Sequence, residues 1–173
     1  MLNSQPMGFY SPDQLVQDLR RHGHSVLSVD VCHSDWESSL QRLPDAGDDA
    51  PFALRLGLHR VKGFGEAAAR RVEAARRAAP FASLQDLARR ANLNRADMQS
   101  LAAADALAGL AGHRRQAHWQ AQAIEEPRPL LDTWECSDRE RLSDGVERPA
   151  PDVHDNMLAD YASVGLTLGP HPL

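Results

Sequence analysis

Cysteine is almost missing: Cys32 and Cys136 stand alone, far apart and outside any CxxC spacing. A structural zinc site or a disulfide framework would need more sulfur than this, so neither is supported, and a reducing cytoplasm suits the composition. No run of apolar residues approaches the roughly 20 that span a bilayer. The opening Met1-Leu2-Asn3-Ser4-Gln5-Pro6 has neither the basic nor the apolar region of a signal peptide, so a soluble, intracellular protein without membrane partners is expected. Lysine is nearly absent too: Lys62 is the only one, and arginine supplies the other long cationic side chains. Such a bias follows from GC-rich coding and carries no mechanism of its own. Apolar residues reach 42%, slightly below the usual globular share, and many are alanine. Even so, 173 residues suffice for one real core with a small satellite lobe and a tail.

The net charge of -5 argues against a nucleic-acid partner only until it is divided along the chain. Residues 1–51 hold three Lys/Arg against eight Asp/Glu, residues 52–120 twelve against five, and residues 121–173 four against eleven. An acidic head and tail therefore flank a basic middle. Such segregation points to a local polyanion site, with a solvated arginine face as the competing explanation.

The spacing of apolar residues predicts a mainly α protein with a small β element. Ser11 suits an N-cap, Pro12 the first helical position and Asp13 the positive helix end; Leu15, Val16 and Leu19 share a face, and Gly23 stops the helix. Val26–Val31 and Phe52–Leu58 read as strands able to pair into a small hairpin-like sheet. Helices are expected over Glu66–Ala79 (stopped by Pro80), Leu84–Ala91 (capped by Ser83), Arg95–Ala103 (capped by Asn94) and His113–Ala123. Leu84, Leu87, Leu93, Met98, Leu101, Leu107 and Leu110 supply their core. The acidic stretch 124–155, with Pro127, Pro129, Pro149 and Pro151, reads as a linker. Met157, Leu158, Tyr161 and Val164 give one more amphipathic turn and a half, and Leu166-Thr167-Leu168 a short strand. The expected units are thus 1–51, a helical domain over 52–123, the linker 124–155 and a final segment 156–173 that stops at a boundary.

Chemistry concentrates in Val61-Lys62-Gly63-Phe64-Gly65-Glu66-Ala67-Ala68-Ala69, the pattern of a helix-hairpin-helix turn. Two glycines permit positive φ and close backbone approach, so several N–H groups can converge on one phosphate oxygen with those of the following helix. Phe64 would plug the hairpin into the core, and Lys62 would add a point charge. Contacts of this kind grip the phosphate backbone without reading sequence. Arg70 and Arg77 each follow a glutamate by four residues, Glu66 and Glu73, whereas Arg71 and Arg76 have no such local partner and are the better phosphate candidates. A second unit runs from Asn94 through an Ala104–Leu107 turn to the His113 helix but lacks glycine at the tightest positions. It either holds phosphate through Arg114 and Arg115 or serves as a packing mate.

Beyond these patterns the chain resembles a known family, the bacterial C-family DNA polymerases, to which the replicative polymerase III α subunit belongs. Leu2–Tyr10 with Ser11-Pro12 and Gln14-Leu15-Val16, then Val29-Asp30-Val31 and His33-Ser34-Asp35-Trp36, resemble its error-prone, damage-induced branch. Leu54–Leu58 leading into Val61–Gly65, Pro80-Phe81 with Leu84, Asp86 and Leu87, and Leu93-Asn94-Arg95 resemble its tandem hairpin domain. Tyr161, Gly165-Leu166 and His171-Pro172-Leu173 resemble the approach to its OB fold. The resemblance implies a piece running from the end of the fingers through the hairpins, without the palm carboxylates that hold catalytic metals, and so without polymerase activity or a cofactor of its own. It implies duplex or primer-template DNA as partner, held at Lys62, Gly63 and Gly65, in a nucleoid-associated cytoplasmic protein. Other mutagenesis proteins or the sliding clamp are further candidate partners.

Other signals are weaker. His22-Gly23-His24 and Cys32-His33 would need to converge from different elements to bind a metal. Asp86 stands near the distance of a glycosylase aspartate, yet Ser83-Leu84-Gln85-Asp86 reads as a helix start. Trp134, with Leu130 and Leu131, is either a partner-docking motif or folds back on its own domain. A second function class therefore stays open: a scaffold recruiting mutagenesis partners through the acidic C-terminal segment.

Overall fold

The computed structural model describes residues 2–4, 10–42, 52–123 and 149–169. They form a mainly α fold with one small sheet. Helix α1 spans Pro12–Arg21, and its start follows the sequence closely: the Ser11 hydroxyl accepts from the Gln14 amide while the Gln14 side chain accepts from the Ser11 amide. This reciprocal cap satisfies two orphan donors at once. Strands β1 (Val26–Leu27), β2 (Ser39–Gln41) and β3 (Ala53–Arg55) make a sheet in the order β1-β3-β2.

The sheet departs from the expected hairpin of two strands. Strand β1 runs parallel to β3, with Val26 opposite Leu54, and β2 supplies the antiparallel neighbour on the other side. Val29 and Val31 are buried without being strand: the chain turns there, and the Val31 amide donates to the Ala106 carbonyl at 3.0 Å. β3 also ends early. Gly57 lies where the backbone of Trp36–Ser38 crosses, so close that a Cβ on it would meet the Glu37 carbonyl carbon at 2.4 Å. Only glycine leaves room for two backbones at that distance.

Helix α2 spans Glu66–Ala78. Pro80 stops it as expected, and Arg90 gathers its last carbonyls, accepting partners being Ala75, Ala79 (2.7 Å) and Pro80 (3.0 Å). Helices α3 (Leu84–Arg90) and α4 (Arg95–Ala103) begin at the expected caps, Ser83 and Asn94. A four-residue helix α5 (Ala108–Ala111) then leads to α6 (Arg114–Ala123). Leu84, Leu87, Leu93, Met98, Leu101 and Leu107 are buried together with Leu56, Leu58, Phe64 and Val72; Leu110 packs half-buried at the edge.

The last helix, α7, spans Val153–Ser163, longer than the sequence suggests and beginning inside the expected linker, with Asp152 as its N-cap. It packs on α4, and its C-terminal end reaches the hairpin. Leu166 and Thr167 are buried but form no strand; the Thr167 hydroxyl donates to Asp160 instead. Trp134 and the greater part of the acidic stretch lie outside the described residues.

One buried carboxylate ties α2 to the N-terminal segment. Glu73 is 2% exposed and accepts from the Trp36 amide at 2.7 Å and from Arg70 at 3.2 Å, with Arg77 at 3.4 Å. Burial pushes its pKa up, but the Trp36 amide and the Arg70 guanidinium outweigh burial and hold it below the usual glutamate value. A depressed carboxylate stabilises the fold above its unfolded pKa and loses that contribution as pH falls through the folded one. Acid titration followed by circular dichroism will therefore show stability falling below the usual glutamate range, with Glu73→Gln less stable at neutral pH by about 1–3 kcal/mol and flatter in acid. Gly57→Ala will cost about 1–3 kcal/mol in urea melts, because backbone rather than a side chain must move.

Candidate nucleic-acid interface

The hairpin is built by a 3-10 turn, Leu58–Arg60, running into a tight turn closed by the Phe64 amide on the Val61 carbonyl at 3.2 Å. Val61 and Phe64 are buried and anchor both ends. Between them Gly63 takes φ +79°, the positive value that the third residue of a type II turn demands. Gly65 then caps α2 in an extended conformation, contributing no side chain and leaving open space where a Cβ would stand. Among the described residues the amides of Gly63 and Gly65 donate to nothing, and those of Glu66, Ala67 and Ala68 have no acceptor within the helix. Five N–H groups without an acceptor thus lie at or next to one uncapped, positive helix end.

Lys62 stands beside this nest, exposed, with its amide on the Ser163 carbonyl at 2.9 Å and its Nζ on the Tyr161 carbonyl at 3.2 Å. An ammonium carries three donors, so this contact orients the charge without exhausting it. Arg60, which the sequence reading passed over, donates to the Val164 carbonyl at 3.0 Å, and burial pushes its pKa down. The C-terminal end of α7 is therefore laced to the hairpin from both sides. Ser100 was also missed: its Oγ would lie 3.2 Å from a Cβ on Gly63. No local pattern points to either residue, since both contacts join segments distant in sequence.

The arginines of α2 all have partners within the chain. Arg70 and Arg77 pair with Glu66 and Glu73 as their spacing predicts. Arg71 and Arg76, singled out for lacking a neighbour four residues away, have partners much further along the chain. Arg71 donates to the carbonyls of Ala91 (2.8 Å) and Asn92 (3.1 Å), closing the α3–α4 turn. Arg76, only 18% exposed, donates to Val31 and Ser34 and pairs with Asp35 at 2.5 Å. It clamps the N-terminal segment.

The second unit lacks the first one's geometry. Asp105 carries a φ of +56° in the Ala104–Leu107 turn, and Gly112 a φ of +83° before α6. Burial raises the Asp105 pKa, partly offset by Arg114. His113 caps α6 by accepting the Gln116 amide at 3.2 Å. Arg114 is 8% exposed and holds Asn156 and Asp160, while Arg115 holds Asp155 at 2.7 Å. Both arginines fasten α7, so this half packs more than it projects. Asp86 accepts from the Ala82 amide and from Arg90, which hold its pKa below the usual aspartate value; that is the chemistry of a helix start, not of a base. No group of three or more His, Cys, Asp or Glu among the described residues is arranged to hold a metal, and no described helix is long and apolar enough to cross a membrane.

The sequence pattern of the family described as the helix-hairpin-helix motif matches residues 23–117, more than half of the chain. The chain belongs to the helix-hairpin-helix family. The matched residues include the Val61–Gly65 turn, helices α2 to α5 and the start of α6. The whole chain is also 52% identical to the error-prone DNA polymerase of Burkholderia pseudomallei, 54% to that of Bordetella parapertussis and 50% to that of Aromatoleum aromaticum. In each case it spans 16% of the relative's length. The likeness to error-prone polymerases seen in the N-terminal residues thus extends over the full sequence.

If Arg76 is a clamp, Arg76→Gln will lower stability by about 2–3 kcal/mol, the scale of lost charged hydrogen bonds. Duplex affinity of the folded fraction, measured by fluorescence anisotropy well below the melting temperature, will stay within about twofold of the parent.

Proposed function

We propose that this chain is a DNA-binding module of an error-prone DNA polymerase, without catalysis of its own, that grips duplex or primer-template DNA by the phosphate backbone during synthesis across damage. The observation carrying this reading is the uncapped start of α2: five amides with no acceptor among the described residues lie along Gly63–Ala68, and Gly63 is held at φ +79°. Backbone amides at a helix start hold a phosphate oxygen whatever the base sequence. Lys62 supplies the adjacent charge, and Gly63 and Gly65 keep side chains out of the way. The relatives named error-prone DNA polymerase support the wider setting. A nucleoid-associated, cytoplasmic location follows from it. The proposed site is Lys62, Gly63, Gly65 and the first turn of α2, with Phe64 as its anchor.

The alternative, recruitment of mutagenesis partners or the sliding clamp by the acidic C-terminal segment, gains nothing from α7. Asp155 and Asp160 face Arg115 and Arg114 of the same chain.

Fluorescence anisotropy across salt tests the grip. Duplex affinity should fall with a log-log slope of about -0.9 per phosphate contact, and Lys62→Ala should make that slope shallower by about one contact. Gly63→Val forces a branched side chain to positive φ against Ser100 and should weaken binding about tenfold or more. Binding that ignores both variants would overturn the reading.

A further inference from the structure

The C-terminal end of α7 stops on the hairpin, and three carbonyls there are taken up by hairpin residues. Tyr161 accepts from the Lys62 Nζ at 3.2 Å, Ser163 from the Lys62 amide at 2.9 Å and Val164 from Arg60 at 3.0 Å. A helix C-terminus carries partial negative charge, so this end attracts the ammonium and holds a long side chain that would otherwise rotate freely. Asp160 fixes the end itself. Its backbone carbonyl accepts the amides of Val164 (2.8 Å) and Gly165 (3.1 Å), where the chain turns through a glycine at φ +81°. Its side chain accepts from the Arg114 guanidinium on one oxygen and from the buried Thr167 hydroxyl on the other, at 2.9 Å. Arg114 also holds the Asn156 carbonyl and side chain, at 2.9 and 3.0 Å, one turn earlier on α7. A continuous set of contacts thus runs from α6 in the second unit, through Arg114 and Asp160, to the Lys62 ammonium.

We infer that Asp160 is a positioning residue for the phosphate grip: through the C-terminal end of α7 it sets the place of the Lys62 ammonium beside the amide nest. This rests on the hairpin being a DNA grip, but on residues that make no phosphate contact themselves. The second unit then serves binding as a brace on the first. A lysine side chain loses rotamer freedom when it pairs with a phosphate, and one already ordered by the protein loses less. One of its three donors goes to the Tyr161 carbonyl, and the others remain for a phosphate oxygen.

The experiment is a double-mutant cycle on the full chain, with blunt-duplex affinity read by anisotropy across salt, well below the melting temperature. Asp160→Ala should make the salt slope shallower by about one contact, as Lys62→Ala does, and should change nothing further in the Lys62→Ala background. Thr167→Val disturbs the same carboxylate more mildly and should act in the same direction by less; it carries the test if Asp160→Ala does not fold. Arg76→Gln, whose partners lie in the N-terminal segment, should leave the slope unchanged. Because Lys62 is the only lysine, a chain labelled with 13C-lysine gives a single ε-methylene signal. That signal should move toward the position of a free lysine in the Asp160 and Thr167 variants before any DNA is added. A slope and a lysine signal that both match the parent overturn the inference. So does a loss that persists in full when Lys62 is already alanine, which would make Asp160 a purely structural residue. Failure of the grip reads out separately, as duplex binding indifferent to Gly63→Val, and the lysine signal reports the brace even then.

Discussion

The buried carboxylate of Glu73 receives the Trp36 amide from the N-terminal segment and the Arg70 guanidinium from its own helix, and most of the geometry near the hairpin depends on this meeting. Trp36 also turns its carbonyl to His59, which donates from both its amide (3.0 Å) and its ring Nδ1 (2.8 Å). One residue therefore links the middle of α2 to the 3-10 turn that leads into the hairpin. Arg76 repeats the link one turn later through Val31, Ser34 and Asp35. With its body pinned this way, α2 can leave its first turn uncapped. An orphaned helix start costs stability, and a helix fixed by tertiary contacts tolerates that cost better than an isolated one.

The charge segregation takes on a different meaning in three dimensions. The basic middle and the acidic flanks are not simply a cationic face with two solvated tails, because among the described residues the flanks pair with three of the middle's arginines. Asp35 from the head meets Arg76, and Asp155 and Asp160 from the tail meet Arg115 and Arg114. Backbone carbonyls take Arg71 and Arg60. On the proposed reading, phosphate recognition falls mainly to backbone amides and the Lys62 ammonium. The amides are fixed partial charges, which lose little freedom on binding, whereas a free arginine must be ordered first.

What was legible in the sequence was local. The caps at Ser11, Ser83 and Asn94, the stop at Pro80 and the pairs Glu66–Arg70 and Glu73–Arg77 all depend on residues within four positions, and all stand as read. The hairpin was legible for the same reason, since its glycines and flanking apolar residues lie within one turn. Contacts across the chain were not. Arg76 finds Val31 45 residues away, and Arg114 finds Asp160 at 46. The parallel pairing of β1 with β3, the close crossing at Gly57 and the seating of Leu166 and Thr167 against α7 belong to the same class: alternation and propensity describe a strand's faces but not its neighbour.

The central claim is that backbone amides, not guanidinium groups, hold the phosphate. Two-dimensional 1H–15N spectra of the labelled chain, titrated with a short blunt duplex at low and then high salt, test it directly. The amides of Gly63, Gly65, Glu66 and Ala67 should show the largest shifts, and added salt should reverse them. Silence at those four amides, with movement instead at the side-chain Nε–H of Arg71, Arg76, Arg114 or Arg115, would contradict the account.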